Sequence, residues 1–71
     1  MGKNHKNLVV LLTQKRKDAG ITQASLAEAV QVSRKSINAI ENGIYVPSTI
    51  LSLKIAAVWN CRVEDLFKIC L

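Results

Sequence analysis

Arg34, Lys35 and Asn38 are the residues of this chain whose types and spacing could do chemistry. On a helix they fall on the side away from Ile37 and Ile40, with Ala39 and Asn42 beside them. That side offers hydrogen-bond donors and almost no bulk. A guanidinium and a side-chain amide can each make paired hydrogen bonds to the edge of a nucleobase, Arg34 to guanine and Asn38 to adenine. Arg34 and Lys35 also sit in the first turn of that helix, where the positive end of its dipole costs about 0.3–1 kcal/mol for each exposed cation. Phosphates would remove this conflict by neutralising the cations. A local rule broken at one spot points to function.

Two short helices must position these side chains, and both are written in residues 22–43, TQASLAEAVQVSRKSINAIENG. Thr22 is a good N-cap, Ile21 and Leu26 can form a hydrophobic staple, and Leu26, Ala27 and Val30 make one apolar stripe. Residues 23–30 are therefore predicted to be helical. The same grammar restarts at Ser33, with Val32 and Ile37 as the staple and Ile37 and Ile40 as the stripe. A helix over 34–42 follows, stopped by Asn42-Gly43. Only Gln31-Val32-Ser33 separates the two, so they must cross steeply, as in a helix-turn-helix over 23–42.

This stretch, followed by YVPS and CRVEDLF, resembles the phage-repressor and Cro-like (XRE) helix-turn-helix family of DNA-binding regulators. The resemblance covers residues 7–67 and rests on several elements at fixed distances: Gln23 opening a helix, a small residue in mid-helix, Val32-Ser33 before the next helix, and IENG at its end. It implies an all-α, compact five-helix lambda-repressor-like domain over 7–67, with a basic arm at 1–6 and an apolar tail at 68–71 that allows a short extended segment. It implies that Arg34, Lys35 and Asn38 read bases or adjacent phosphates, and that Gln23 and Asn42 contact the DNA backbone. Ser33 and Tyr45 are further candidate phosphate contacts; Tyr45 can equally be a packing residue. It also implies a structural ion pair between Arg16 and Glu41, tying the first helix to the third. The function expected is a sequence-specific regulator of transcription, a repressor that binds a palindromic double-stranded operator as a homodimer, with half-sites about one helical turn apart. Three positions depart from the family pattern: Gln31 stands where the turn often has Gly, Ser25 where a capping Glu is common, and Arg62 where a Ser cap is common.

Composition bounds the alternatives. Seventy-one residues make one domain with a thin stability margin, which a partner subunit would improve. The formal charge is +5, unevenly spread: residues 1–43 hold seven Lys or Arg against three acids, net +4, and the remainder three against two, net +1. Basic balance alone would also suit RNA or an anionic membrane surface, so the motif carries the discrimination. The run LVVLL at 8–12 is too short for a signal peptide, and no stretch is long enough to span a membrane. Cys61 and Cys70 lie without a Cys-x-x-Cys pair or clustered His, so no metal, cofactor or disulfide framework is indicated, and a reducing cytoplasm is the natural setting. One His near the N-terminus, no nucleophile with an attendant base and no Gly-rich phosphate loop exclude a catalytic site. No small-molecule ligand is implied. The second functional class is a protein-interaction module, such as an antitoxin-like partner, in which Arg34 and Asn38 would be dispensable.

The rest of the chain supplies the frame. A first helix is expected over Asn7–Ala19, with Leu8, Leu11, Leu12 and Ala19 inward, ending at Gly20. Val9 and Val10 are more apolar than its solvent face requires. Lys15 and Lys17 fit a solvated helix end that complements the dipole, or direct DNA contact. Ile44 to Pro47 form a loop, Ser48 caps a helix over Thr49–Trp59 with Ile50, Leu53, Ala56 and Ala57 inward, and Asn60 is a left-handed terminator. A last short helix is expected over Val63–Phe67, after which Lys68 to Leu71 could add a strand, dock a partner or fray. Surplus apolar residues at Val58, Trp59, Phe67, Ile69 and Leu71 are the candidate dimer surface. Cys61 reads as a small core residue, and an exposed Cys70 could cross-link a dimer on oxidation.

Overall fold

The structure is a computed structural model that describes residues 7–70, so the basic arm at 1–6 and Leu71 of the expected dimer surface lie outside the described residues. In chain order it contains a strand β1 (Leu8–Val10), helices α1 (Leu12–Asp18), α2 (Gln23–Val30), α3 (Arg34–Glu41) and α4 (Thr49–Val58), one 3-10 turn (Val63–Asp65), and a strand β2 (Phe67–Ile69).

Helices α2, α3 and α4 start for the same local reason. Thr22, Ser33 and Ser48 are extended N-cap residues whose hydroxyls accept from the amides of Ser25, Ser36 and Leu51, satisfying donors that the first helical turn leaves free. All four helices also end alike. A residue just past each takes a positive φ, at Gly20 (72°), Gln31 (63°), Gly43 (73°) and Asn60 (51°). The next amide then reaches five residues back: Ile21 to the Arg16 carbonyl, Val32 to Ala27, Ile44 to Ala39 and Cys61 to Ala56, all within 3.0–3.1 Å. This is the Schellman arrangement, which closes the last carbonyls and turns the chain sharply.

The core is one cluster in which Leu12, Leu26, Ala27, Val30, Ile37, Ile40, Leu51, Ile55, Ala56 and Leu66 are buried. Val10, Ile21, Val32, Trp59, Cys61, Val63 and Phe67 pack against it from the rim. The stripes of α2 and α3 thus meet α1 and α4 as their spacing dictates.

Three expectations about the frame are corrected. The domain is mostly helical rather than all-α, because Leu8–Val10 are a strand paired antiparallel with Phe67–Ile69: Leu8 opposite Ile69, Val9 opposite Lys68, Val10 opposite Phe67. The Leu11 amide donates to the Leu66 carbonyl (2.7 Å) and the Cys70 amide to the Asn7 carbonyl (2.8 Å), extending the tie between the two segments. The first helix therefore begins only at Leu12, Leu8 and Leu11 are half-buried, and Ala19 is exposed. Aliphatic and β-branched residues favour a pleated pairing once a second strand is available. The fifth helix is likewise reduced to a 3-10 turn, closed by Asp65 accepting from the Arg62 amide (3.0 Å), because Phe67 is drawn into the strand pair. In α4 the buried face is Leu51, Ser52, Ile55 and Ala56, whereas Ile50 (69% exposed) and Leu53 (57%) face outward and Ala57 is exposed. A helix apolar on every side gives periodicity nothing to choose between, so packing chooses. No helix among the described residues is long and apolar enough to cross a membrane.

Gln31 is the one position where a side chain with a Cβ and a long stem holds the left-handed conformation inside the turn between α2 and α3. Replacing it with Gly removes that steric cost but adds chain entropy to the unfolded state. The expected net result of Gln31→Gly is a stabilisation of about 0.5–1 kcal/mol, read as a higher urea midpoint with an unchanged slope.

Candidate nucleic-acid interface

The outer side of α3 is built by what its inner side does. Ile37 and Ile40 are fully buried, which leaves Arg34, Lys35, Asn38 and Asn42 exposed on the opposite side and Ala39 half-buried between. Burying two isoleucine side chains stabilises by roughly 1.5–3 kcal/mol each, far more than any polar preference of the outer face could overturn. The rotation of α3 is therefore set from inside. The short link Gln31–Ser33 then holds α2 directly against it.

A second tie acts at the C-terminal end of α3. Arg16 of α1 grips Glu41 with both arms, Nε to Oε2 at 2.6 Å and Nη2 to Oε1 at 3.2 Å, and donates from Nη1 to the Ile21 carbonyl at 2.8 Å. Only 11% of the Arg16 side chain and 4% of the Glu41 side chain is exposed. One arginine thus joins α1, the segment leading into α2, and α3. The Glu41 bond pushes the Arg16 pKa further up. For Glu41, burial works to raise the pKa, but hydrogen bonds from Arg16 and Gln23, with the guanidinium charge, outweigh it and hold the carboxyl below its ordinary value.

Gln23, the first residue of α2, completes the site. Its Nε2 donates to Glu41 Oε1 at 2.9 Å. Its Oε1 lies 3.4 Å from Arg34 Nη1 and 3.5 Å from Asn38 Nδ2, at the long end of hydrogen bonding. Asn42 Nδ2 donates to the Asn38 carbonyl (2.8 Å) and to Asn38 Oδ1 (3.2 Å). Arg34, Asn38, Gln23 and Asn42 are thereby gathered into one polar surface. Lys35 is exposed beside them, and Tyr45, 44% exposed, follows in the loop. The Ser33 hydroxyl is occupied in capping α3 and lies 3.0 Å from Ser36 Oγ.

The residues expected at a dimer surface are more scattered. Val58 and Ile69 are exposed, whereas Trp59 and Phe67 pack against the core of their own domain. Sequence reasoning missed two features. One is the link from Gln23 to Glu41, for which no local pattern exists across eighteen residues. The other is the exposure of Ile50 and Leu53 on α4, and of Ile44, Tyr45 and Val46 in the loop before it. The signal for the second was the excess of apolar residues in α4. Cys61 is half-buried and Cys70 exposed, both as free thiols.

A helix-turn-helix family model matches residues 12–66, the span from the start of α1 to the last core residue. The chain belongs to the helix-turn-helix family. It is 47% identical over 58 residues to an uncharacterised HTH-type transcriptional regulator of Methanothermobacter thermautotrophicus, covering 80% of this chain and 84% of that protein. A second such regulator, from Archaeoglobus fulgidus, is 52% identical over 48 residues, covering 68% and 69%. The ImmF control region 10 kDa protein of Bacillus phage phi105 is 40% identical over 55 residues, covering 78% of this chain and 61% of the phage protein. Within the helix-turn-helix unit the stretch that turns outward is the exposed face of α3.

The Arg16–Glu41 pair yields a prediction with a defined sign. Removing one partner of a buried pair strands the other, so Glu41→Ala is expected to destabilise the domain by about 3–5 kcal/mol at neutral pH. A carboxyl whose folded pKa is depressed contributes stability that is complete above its unfolded value, near 4.3, and is lost as pH falls through the folded value. Wild type and Glu41→Gln should therefore differ in urea unfolding at pH 7 and converge as the pH drops below about 4.

Proposed function

We propose that this chain is a sequence-specific regulator of transcription that binds double-stranded DNA with α3 in the major groove. The reading puts it in the Cro-like (XRE) branch with a lambda-repressor-like arrangement over residues 7–67, acting as a repressor on a palindromic operator. The observation that carries it is the two-sidedness of α3: two isoleucines wholly inside, and a guanidinium, an ammonium and two amides together outside. Such a face matches the donor and acceptor pattern of base edges, and a major groove admits one helix. In this reading Arg34, Lys35 and Asn38 face bases. Gln23, Asn42, Ser33 and Tyr45 lie toward phosphates, Ser33 through the amide end of α3 that it caps.

The size of the domain supports two-fold binding. Half-sites one turn apart are centred roughly 34 Å from each other, while the longest extent of the domain is 29 Å. Two copies reading successive turns stand almost face to face. Ile44, Tyr45 and Val46, which follow α3 in the chain, and Ile50 and Leu53 of α4 are exposed apolar side chains that a second copy would cover.

Selecting bound duplexes from a random pool tests the DNA reading. Wild type is expected to enrich a two-fold symmetric sequence. Arg34→Ala and Asn38→Ala should each lose discrimination at their own base positions, at a cost of roughly 1–3 kcal/mol. A protein-interaction module would enrich nothing and tolerate both changes. Dimerisation is tested separately by sedimentation: Leu53→Glu puts a charge into the covered face and is expected to leave a folded monomer with weakened operator binding. An undiminished dimer would move the contact elsewhere.

A further inference from the structure

The strand pair that joins Leu8–Val10 to Phe67–Ile69 has two outer edges, and they differ. The Leu11 amide donates to the Leu66 carbonyl and the Cys70 amide to the Asn7 carbonyl, which fixes the alternation of the ladder between them. Val9 and Lys68 are then the pair that exchanges backbone bonds. The amides and carbonyls of Leu8 and Val10 point out along one edge, those of Phe67 and Ile69 along the other. None of these groups is bonded to backbone elsewhere among the described residues. Val10 and Phe67 pack against the core, so Val9 and Lys68 stand on the outer face, where Val9 is 38% exposed.

A row of free amides and carbonyls is a template for another strand unless something blunts it, and a lysine on the strand does so. β2 carries one, Lys68, whereas β1 is Leu-Val-Val and carries no charge. The three residues of β1 suit a second copy of themselves. Across a two-fold axis Leu8 of each copy would stand opposite Val10 of the other, and both pairs would exchange backbone bonds. Val9 would meet its own equivalent at the axis, in the closest kind of cross-strand pair, with Cα atoms about 4.5 Å apart. The exposed apolar residue of the strand is thereby covered by an identical one. The same operation on β2 would set Lys68 against Lys68 at that distance, and like charges directly opposite destabilise a pair. In a sheet built through β1 the two lysines are three strand spacings apart, about 14 Å, beyond the screening length at physiological salt.

We infer that the outer edge of β1 is a self-association surface, at which two copies of this chain pair their Leu8–Val10 strands antiparallel into one four-stranded sheet with Val9 at the two-fold axis. The contact is made by different residues from the α4 contact proposed above and involves no DNA. Three residues a side make it small, so it is the weaker of the two and joins copies at higher protein concentration.

The test makes Val9→Cys and Lys68→Cys, each in a chain whose own thiols are removed by Cys61→Ala and Cys70→Ser. Disulfide formation under mild oxidation is followed on non-reducing gels over a concentration series. A Cα separation of that size is one a disulfide spans, so Val9→Cys is expected to link about tenfold faster than Lys68→Cys. Its rate should rise with salt, which screens the repulsion between copies of formal charge +5. Equal rates, the mark of random collision, overturn the inference. So does faster linking through Lys68→Cys, which is pairing by β2, or a mixed product of the two variants that outruns both, which is an open head-to-tail stack. Absence of any Val9→Cys link overturns it as well, since an edge covered by another segment behaves in that way. Oxidation can trap rare encounters, so Val9→Lys in the otherwise unchanged chain gives a second reading by sedimentation. The highest association step of the wild type is expected to weaken about tenfold or more, in a variant that still melts cooperatively. A step that Val9→Lys leaves unaltered, or a wild type without one, overturns the inference. The two contacts fail separately. If Leu53→Glu abolishes the dimer and Val9→Cys does not link, the β1 contact fails alone; if Val9→Cys links and Leu53→Glu changes nothing, the α4 contact fails alone.

Discussion

The setting of α3 about its own axis is the constraint on which this molecule turns. Ile37 and Ile40 are wholly inside, and Glu41, one position further along, is held by both arms of Arg16. The first tie is non-directional and strong, the second directional and local. Together they leave the helix one rotation, and that rotation decides which side chains meet solvent. Apolar burial sets which side of the helix is inside, and the ion pair adds a directional constraint at its end. A two-armed pair cannot follow a roll of the helix without losing its geometry.

The same ties integrate the small domain. Arg16 reaches α3 and the chain entering α2 at once, so the first helix, which is only seven residues long, is joined to the helix-turn-helix by charge as well as by Leu12 in the core. Residues 7–11 and 66–70 are stitched by a three-residue strand pair flanked by two further backbone hydrogen bonds. Pairing these two segments lets Val10 and Phe67 seal the rim of the core.

The polar surface outside α3 shows how a frame becomes a site. Cations in the first turn of a helix are unfavourable there, and Arg34 and Lys35 are present despite it. The carbonyl of Gln23 answers part of that cost for Arg34, and the acidic anchor of that amide is Glu41. Side chains from three helices therefore meet at one polar surface that carries a guanidinium and two amides, which an isolated helix could not supply.

Much of this was legible in the residues because it is local. Helix starts at Thr22, Ser33 and Ser48, left-handed ends at Gly20, Gly43 and Asn60, and the inward stripes Leu26, Ala27, Val30 and Ile37, Ile40 depend on neighbours within one or two turns, and the sequence states those neighbours directly. The outward placement of Arg34 and Asn38 followed from the same stripe. Tertiary structure alone decided three things. It paired Leu8–Val10 with Phe67–Ile69, turned Leu51 and Ile55 rather than Ile50 and Leu53 inward, and brought the Gln23 amide onto Glu41. Each depends on a partner distant in the chain: a strand needs another strand, a uniformly apolar helix takes its face from what it packs on, and an amide is oriented only by the charge that folding brings beside it.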